Sequence, residues 1–301
     1  MFGLNLLGLV RQKYTSTVKQ KLKATGRPLN KSLKEYARGI AGGLLFSFPL
    51  LYTMEVWWAG FVAAPSDLLL LILFTYLLLL GYNRYAGMHP DVSWASVFID
   101  SVEELGIGFL VSSGVLFMLG QIEVGTMSLD EIMGKVIIEA MAVSIGVSIG
   151  TAQLGTGEED DEKDEKEEKE RRTKTGIFVL AFCGALVVGS NVGPTEEIVL
   201  IAVGATPLQV LVMSVASLFL SVLVVFFSNF KGSAVSYRGN LAFDIIFDTC
   251  ISYLTALAAS AFILWFFGRF DGVSFWFGFA QVIVLGVVAI LGASAGRLLI
   301  K

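Results

Sequence analysis

The chain has 301 residues, of which 55% are hydrophobic, and it combines a mean hydropathy of +0.73 with a formal net charge of −4. This composition excludes a water-soluble domain of such a length and indicates a polytopic membrane protein. The negative charge comes from one segment, 157–174, which holds ten acidic and six basic residues. Outside that segment the acidic and basic residues balance, so the overall charge predicts no nucleic-acid partner.

The N-terminal segment, 1–39, places its apolar residues before its basic residues, which is the reverse of a secretory signal peptide. We expect it to be retained as a cytoplasmic tail. It is either an ordinary topogenic tail or an interfacial helix on anionic membrane lipid.

The apolar runs predict an all-α membrane protein with eight transmembrane helices, because each run can cross about 30 Å of hydrocarbon at 1.5 Å per residue. Lys and Arg concentrate in the N-terminal tail and in the loops on its side of the membrane. This bias predicts that both termini are cytoplasmic. The predicted spans are 40–64, 66–83, 96–120, 132–154, 176–203, 207–227, 243–268 and 275–297.

Short patterns recur in the same order in both halves of the chain, which predicts an internal duplication. The first span contains T-M-E-V from Thr53, and the fifth contains T-E-E-I from Thr195, each followed by a proline at the same spacing. The third span overlays the seventh at a constant offset, and G-V-S-I-G in the fourth matches G-A-S-A-G in the eighth.

We therefore predict two four-helix repeats, 40–156 and 175–301, joined by the charged cytoplasmic linker 157–174. Each repeat holds an even number of spans, so the two repeats run parallel to each other.

The acidic residues inside the spans are the candidate functional residues, since a charge in hydrocarbon costs several kcal/mol unless it is paired, solvated or protonated. The repeat selects two matched pairs: Glu55 with Glu197, and Asp100 with Asp248. These four are the predicted ion-binding or proton-binding residues, and the ligands if the ion is a metal. For Glu139, which aligns with Leu285, a hydrogen bond between helices is favoured over ion binding.

Pro49 and Pro194 predict helix breaks beside these acids, because proline frees a carbonyl that a membrane tolerates only next to protein or water. Carbonyl, hydroxyl and carboxylate oxygens suit a hard cation such as Ca²⁺, Mn²⁺, Mg²⁺ or Na⁺. We expect no cofactor other than a bound Ca²⁺ or similar ion. The auxiliary candidates are Thr53, Glu103, Glu104, Asn191, Thr195, Glu196 and Asp244.

The stretches F-P-L-L-Y-T-M-E at 48–55, F-I-D-S-V-E-E-L at 98–105 and N-V-G-P-T-E-E-I at 191–198 resemble an uncharacterised bacterial and cyanobacterial family of integral membrane proteins, a domain of unknown function. That resemblance implies no activity. A weaker similarity connects Gly193, Pro194, Thr195 and Glu197 to the alpha repeats of calcium/cation exchangers, and it implies cation chemistry only as an analogy.

The sequence thus predicts a cation transporter or channel, with cation/proton exchange as one form and an inorganic cation or proton as its partner. It leaves the oligomeric state open, a homo-oligomer included. The alternatives are a non-transporting scaffold or sensor, and an acid-dependent intramembrane enzyme. We expect no enzyme, because the chain lacks the Y-D and G-x-G-D pair of aspartyl intramembrane proteases and has no His or Cys constellation.

Overall fold

The computed structural model describes residues 29–86, 93–153, 174–230 and 241–298, which form ten α-helices. Contacts divide the chain into two units, Met1–Ala37 and Arg38–Lys301. The predicted linker, 157–174, lies outside the described residues except for its last residue, and so does most of the N-terminal tail. The helices are α1 Leu29–Leu51, α2 Met54–Val62, α3 Pro65–Ala86, α4 Trp94–Met118, α5 Leu129–Gln153, α6 Lys174–Ser190, α7 Glu196–Gly204, α8 Pro207–Phe230, α9 Leu241–Phe266 and α10 Phe275–Leu298.

The all-α prediction is confirmed, and five of these helices are long and apolar enough to cross a membrane. The number rises to six when α1 and α2 are counted as one bent span. The apolar parts of α6 and α8 that the structure describes are shorter. Eight spans therefore stay a prediction.

Helix lengths recur along the chain. Helices α1 to α5 have 23, 9, 22, 25 and 25 residues, and α6 to α10 have 17, 9, 24, 26 and 24. The short helices α2 and α7 follow the extended residues Thr53 and Thr195. The helix after each begins at a proline, Pro65 or Pro207, a residue that suits the first helical position because it lacks the N–H that would be unpaired there.

Two predicted spans, 40–64 and 176–203, are each divided into a long and a short helix. α1 and α2 meet at an angle of 85°. Pro49 has no N–H to donate, so the helical hydrogen-bond pattern of α1 weakens just before it ends. The second break begins where α6 ends at Ser190 and includes Pro194. The sequence located both breaks, but it did not show that they separate distinct helices.

Glycines allow the first helix of each half to pack closely against the last. A Cβ on Gly42 would overlap the backbone of Gly150, and the backbone of Gly146 is also within contact distance. In the second half, Gly184 meets Gly292 and Gly296 in the same way. Since Gly43 approaches Val143 and Val147 while Gly42 approaches Gly150, α1 and α5 run antiparallel.

The ends of α4 and α9 have the same geometry. Gly120 (φ 70°) and Gly268 (φ 65°) adopt left-handed backbone conformations that other residues rarely take. The N–H of the next residue, Gln121 or Arg269, donates to the helix carbonyl five residues earlier at 2.8 Å in both halves. The carbonyl of Gln121 accepts a hydrogen bond from the Lys135 side chain at 3.3 Å, and that of Arg269 accepts one from the Gln281 side chain at 3.4 Å.

The buried faces of α4 and α9 also share one register. On α4 the buried positions include Ser101, Glu104, Gly108, Ser112 and Leu116. At a constant offset, α9 buries Thr249, Ser252, Ala256, Ser260 and Leu264. The buried carboxylate of Glu104 on α4 is thus matched by the hydroxyl of Ser252 on α9.

Helix α5 lies at the centre of the first half. Every residue from 134 to 151 is buried, and α5 packs against α2, α3, α4 and α6 as well as α1. The main core continues into the second half, where Phe74 of α3 approaches Phe262 of α9 with ring centroids 4.1 Å apart. Polar side chains on α5 are therefore removed from both water and lipid.

Candidate functional site

The four acids predicted to bind the ion occupy different environments. Glu55 is half-buried in the first turn of α2, and Glu197 is exposed in the first turn of α7 beside the exposed Glu196. Asp100 is half-buried on α4. The structure describes the backbone of α9 at Asp244 and Asp248 but not their side chains. Among the described side chains, no group of three or more His, Cys, Asp or Glu residues is arranged to hold a metal ion.

The polar side chains of Asn191 and Thr195, at the break before α7, form hydrogen bonds with the protein backbone. Asn191 Oδ1 accepts from the N–H of Leu50 at 2.9 Å, and its Nδ2 donates to the carbonyls of Phe46 (2.9 Å) and Val187 (2.7 Å). The Thr195 hydroxyl donates to Val192 at 2.8 Å. Asn191 therefore connects the two breaks, a role that its prediction as an ion ligand did not include.

A basic residue also reaches the second break. The Arg269 guanidinium donates to the carbonyl of Pro194 within this break. The chain after Gly268 folds back so that this side chain extends to the break.

A buried carboxylate, Glu104 on α4, lies in a network of neutral polar side chains. Its Oε2 accepts from Asn83 Nδ2 of α3 at 2.6 Å. Asn83 Nδ2 also contacts Ser101 Oγ at 3.1 Å, and Asn83 Oδ1 accepts from Ser148 of α5 at 3.1 Å. Three helices thus converge on one carboxylate, and its hydrogen-bond network among the described residues consists of neutral side chains.

Local sequence explains why these helices meet there. Ser101, Glu104 and Gly108 recur every three or four residues and so share one face of α4. Gly108 has no side chain, which lets Ser144 of α5 come so close that a Cβ at this position would overlap its hydroxyl. The close approach brings Ser148, one helical turn further along α5, to the Asn83 amide.

A second buried carboxylate, Glu139 on α5, has no hydrogen-bond partner for either oxygen among the described residues. Lys135, one turn before it, contacts Gly60 of α2, and Val143, one turn after it, contacts Gly43 of α1. Glu139 lies on the same face of α5 between these two contacts, so it faces the break between α1 and α2.

A family model described as putative integral membrane protein, DUF2391, matches residues 35–300. The chain belongs to the DUF2391 family. This confirms the resemblance given by the stretches at 48–55, 98–105 and 191–198, and the integral membrane assignment. No curated protein and no solved structure matches the chain.

For this DUF2391 protein, sequence reasoning did not predict that Glu104 and Glu139 are deeply buried or that Asn83 bonds to Glu104. Glu104 is predicted only as an auxiliary residue, and for Glu139 a structural role, as a helix cap or in a hydrogen bond between helices, is favoured over ion binding. Neither has an acidic counterpart in the other half, so a search for matched pairs passed over both. A usable signal was the Asn83 amide at the end of the apolar α3 sequence, since an amide buried between helices needs a hydrogen-bond partner.

Proposed function

We propose that this integral membrane protein is a cation transporter or channel and that the Glu104 carboxylate is its principal ion-binding group. The observation that carries the proposal is a carboxylate held by Asn83 inside the helix bundle with only neutral hydrogen-bond partners. A bare charge in that position is costly, and a bound cation or proton would remove the cost. A buried carboxylate with neutral hydrogen-bond partners supports ion or proton binding more directly than catalysis.

We further propose that the membrane domain crosses the bilayer eight times as two parallel repeats. Each half would cross with its first, third, fourth and fifth helix, while the nine-residue α2 or α7, only about 13 Å long, would connect two crossings. The glycine contacts support the duplication, since Gly42 meets Gly150 as Gly184 meets Gly296; an even number of crossings in each half gives both halves the same direction. The shared ends of α4 and α9 support a duplicated origin.

The orientation we propose places both termini and the charged linker on the cytoplasmic side of a bacterial inner membrane. The support comes from the basic residues of the N-terminal tail and of the loops on the same side. Even numbers of crossings in each half return the chain to that side before the linker and again at its end.

Three of the four matched acids keep a place in this proposal. Asp100 lies one turn before Glu104 on α4 and is close enough to interact with it electrostatically, so it would guide the ion towards Glu104. Glu55 and Glu197 lie at the starts of α2 and α7, one in each half of the chain. We propose that they receive the ion at the ends of the pathway that are distant from Glu104. Ca²⁺, another hard cation and a proton are all compatible with carboxylate oxygens.

The experiment is ion flux into proteoliposomes that contain the purified full-length chain, with Ca²⁺, Na⁺, K⁺ and H⁺ assayed separately. Glu104→Gln removes the charge and keeps the side-chain shape, and we expect a loss of about tenfold or more in flux. Glu103→Gln is the matched control, because Glu103 is exposed on the same helix, and it should retain flux. Absence of flux for every ion in the wild type would instead favour a scaffold or sensor.

A further inference from the structure

The break between α1 and α2 contains a buried acid but offers few free ligands for a metal ion. The Pro49 carbonyl accepts from Thr53 Oγ1 at 2.7 Å and from the N–H of Tyr52 at 3.2 Å. The Leu50 carbonyl accepts from the N–H of Thr53 at 2.9 Å, and the Leu51 carbonyl accepts from the Trp57 indole at 3.2 Å. Each of these three carbonyls already accepts a hydrogen bond, which leaves it less able to act as a ligand for a metal ion.

A hard metal ion takes six or more oxygens, whereas a proton needs a single acceptor atom. Glu139 provides two carboxyl oxygens that are fully buried and have no partner among the described residues. The chemistry that fits this position is therefore the binding of a proton, which converts an uncompensated buried charge into a neutral carboxylic acid.

The two halves fill their breaks in opposite ways. At the second break a permanent cation, Arg269, binds the Pro194 carbonyl, and Leu285 stands where the first half has Glu139. In the first half the residue that matches Arg269 is Gln121, which carries no charge. Glu139 faces the first break, where Gln121 takes the place of Arg269. In the second half Arg269 binds at the break, and Leu285 takes the place of the acid.

Glu139 is separate from the Glu104 network although both involve α5. Ser148, which joins that network, is nine residues from Glu139, so the two side chains lie on opposite faces of α5 and about 13 Å apart along its axis. Helix α5 carries Glu139 and also contributes Ser148 to the Glu104 network. A shift of this helix would therefore change the surroundings of both carboxylates.

Among the described residues, no ionisable side chain forms a hydrogen bond with Glu139. Lys135, the basic residue one turn away, is engaged by Glu131 at 3.3 Å and by the Gln121 carbonyl at 3.3 Å. On the described part of α5 and the elements packed against it, the titratable side chains that are buried or stand at the break are Tyr52, Glu55, Tyr82, Glu104, Lys135 and Cys183.

We propose that Glu139 is a proton-binding site at the α1–α2 break, distinct from the ion site at Glu104 and without a counterpart in the second half. Resting on the proposed transport function, it makes the protein a proton-coupled cation transporter. A transported proton would be taken by a Glu139 carboxylate from water and released again to water, so one carboxyl oxygen gains and then loses one proton in each cycle.

The direct test is infrared difference spectroscopy of the full-length protein in lipid between acidic and alkaline buffer, in H₂O and D₂O. We expect the carbonyl stretch of a protonated, deuterium-sensitive carboxylic acid in the wild type and in Glu104→Gln, with a component that is lost in Glu139→Gln. Glu131→Gln is the matched control on the same helix and should keep that component. Glu139→Leu, which reproduces the residue of the second half, should also lose it.

The same proteins are then assayed for cation flux with and without a pH gradient. Glu139→Gln should lose the several-fold stimulation by the gradient while it keeps flux at equal pH on both sides. An unchanged carboxylic acid signal together with unchanged stimulation in Glu139→Gln would overturn the inference and leave the Glu104 proposal standing. Loss of the signal in Glu139→Gln with full flux in Glu104→Gln would support the proton site and reject the Glu104 assignment.

Discussion

The side chain of Asn191 bonds with the backbone of Leu50, and so it joins the two helix breaks of the molecule. In an α-helix the N–H of Leu50 would pair with the carbonyl of Phe46. Here that N–H donates to Asn191 Oδ1 and that carbonyl accepts from Asn191 Nδ2, both at 2.9 Å. An amide from the second half thus occupies the place of a main-chain bond at the end of α1, next to the break that Glu139 faces.

Asn191→Ala should destabilise the protein because it removes the partners of the Leu50 N–H and the Phe46 carbonyl together. Leaving such groups unpaired costs about 1–3 kcal/mol each when they are buried. We expect a lower midpoint of thermal unfolding in detergent. Thr195→Val is the matched control in the same break, since it loses only the bond to Val192, and should lower the midpoint less. Equal midpoints for the two variants would show that the Asn191 contact contributes no more than a local cap.

The sequence predicted much of the helical organisation because the signals that carry it are local. Proline and glycine act through their own backbone conformation, and the helix ends of the structure lie close to Pro49, Pro194, Gly120 and Gly268. The 85° bend between α1 and α2 was not predictable in the same way. It involves Asn191, which is distant along the chain.

The candidate site was predicted less well, because burial of an acid depends on which face of its helix packs. Glu103 and Glu104 are adjacent, yet they point about 100° apart, and only Glu104 meets Asn83. The internal repeat favoured residues that match between the halves, such as Asp100. The two deeply buried acids, Glu104 and Glu139, are those in which the halves differ.

Gly108→Ala should loosen the α4–α5 contact that supports the Glu104 network. A Cβ at this position overlaps the Ser144 hydroxyl, and forced overpacking of this kind costs about 1–3 kcal/mol. Gly114→Ala is the matched control on the same helix, because no atom lies within 4 Å of its added methyl group. That variant should be unchanged or more stable by up to about 1 kcal/mol through helix propensity. The measurement is the unfolding midpoint in detergent, and similar losses for both variants would contradict the proposed close packing.

Lys135→Gln should be tolerated, because it gives the first half the side chain that the second half has at Gln281. The glutamine amide can still donate to the Gln121 carbonyl, as Gln281 does to Arg269, and the variant loses the ion pair with Glu131, in which the side chains are 11% and 21% exposed. We expect a loss of less than about 1 kcal/mol in the free energy of unfolding. Lys135→Leu removes the donor as well and should cost about 1 kcal/mol more, because the buried carbonyl is left unpaired. If both variants lose the same stability in a denaturation titration, the donor matters less than the charge, and the two contacts are not equivalent parts of a duplicated fold.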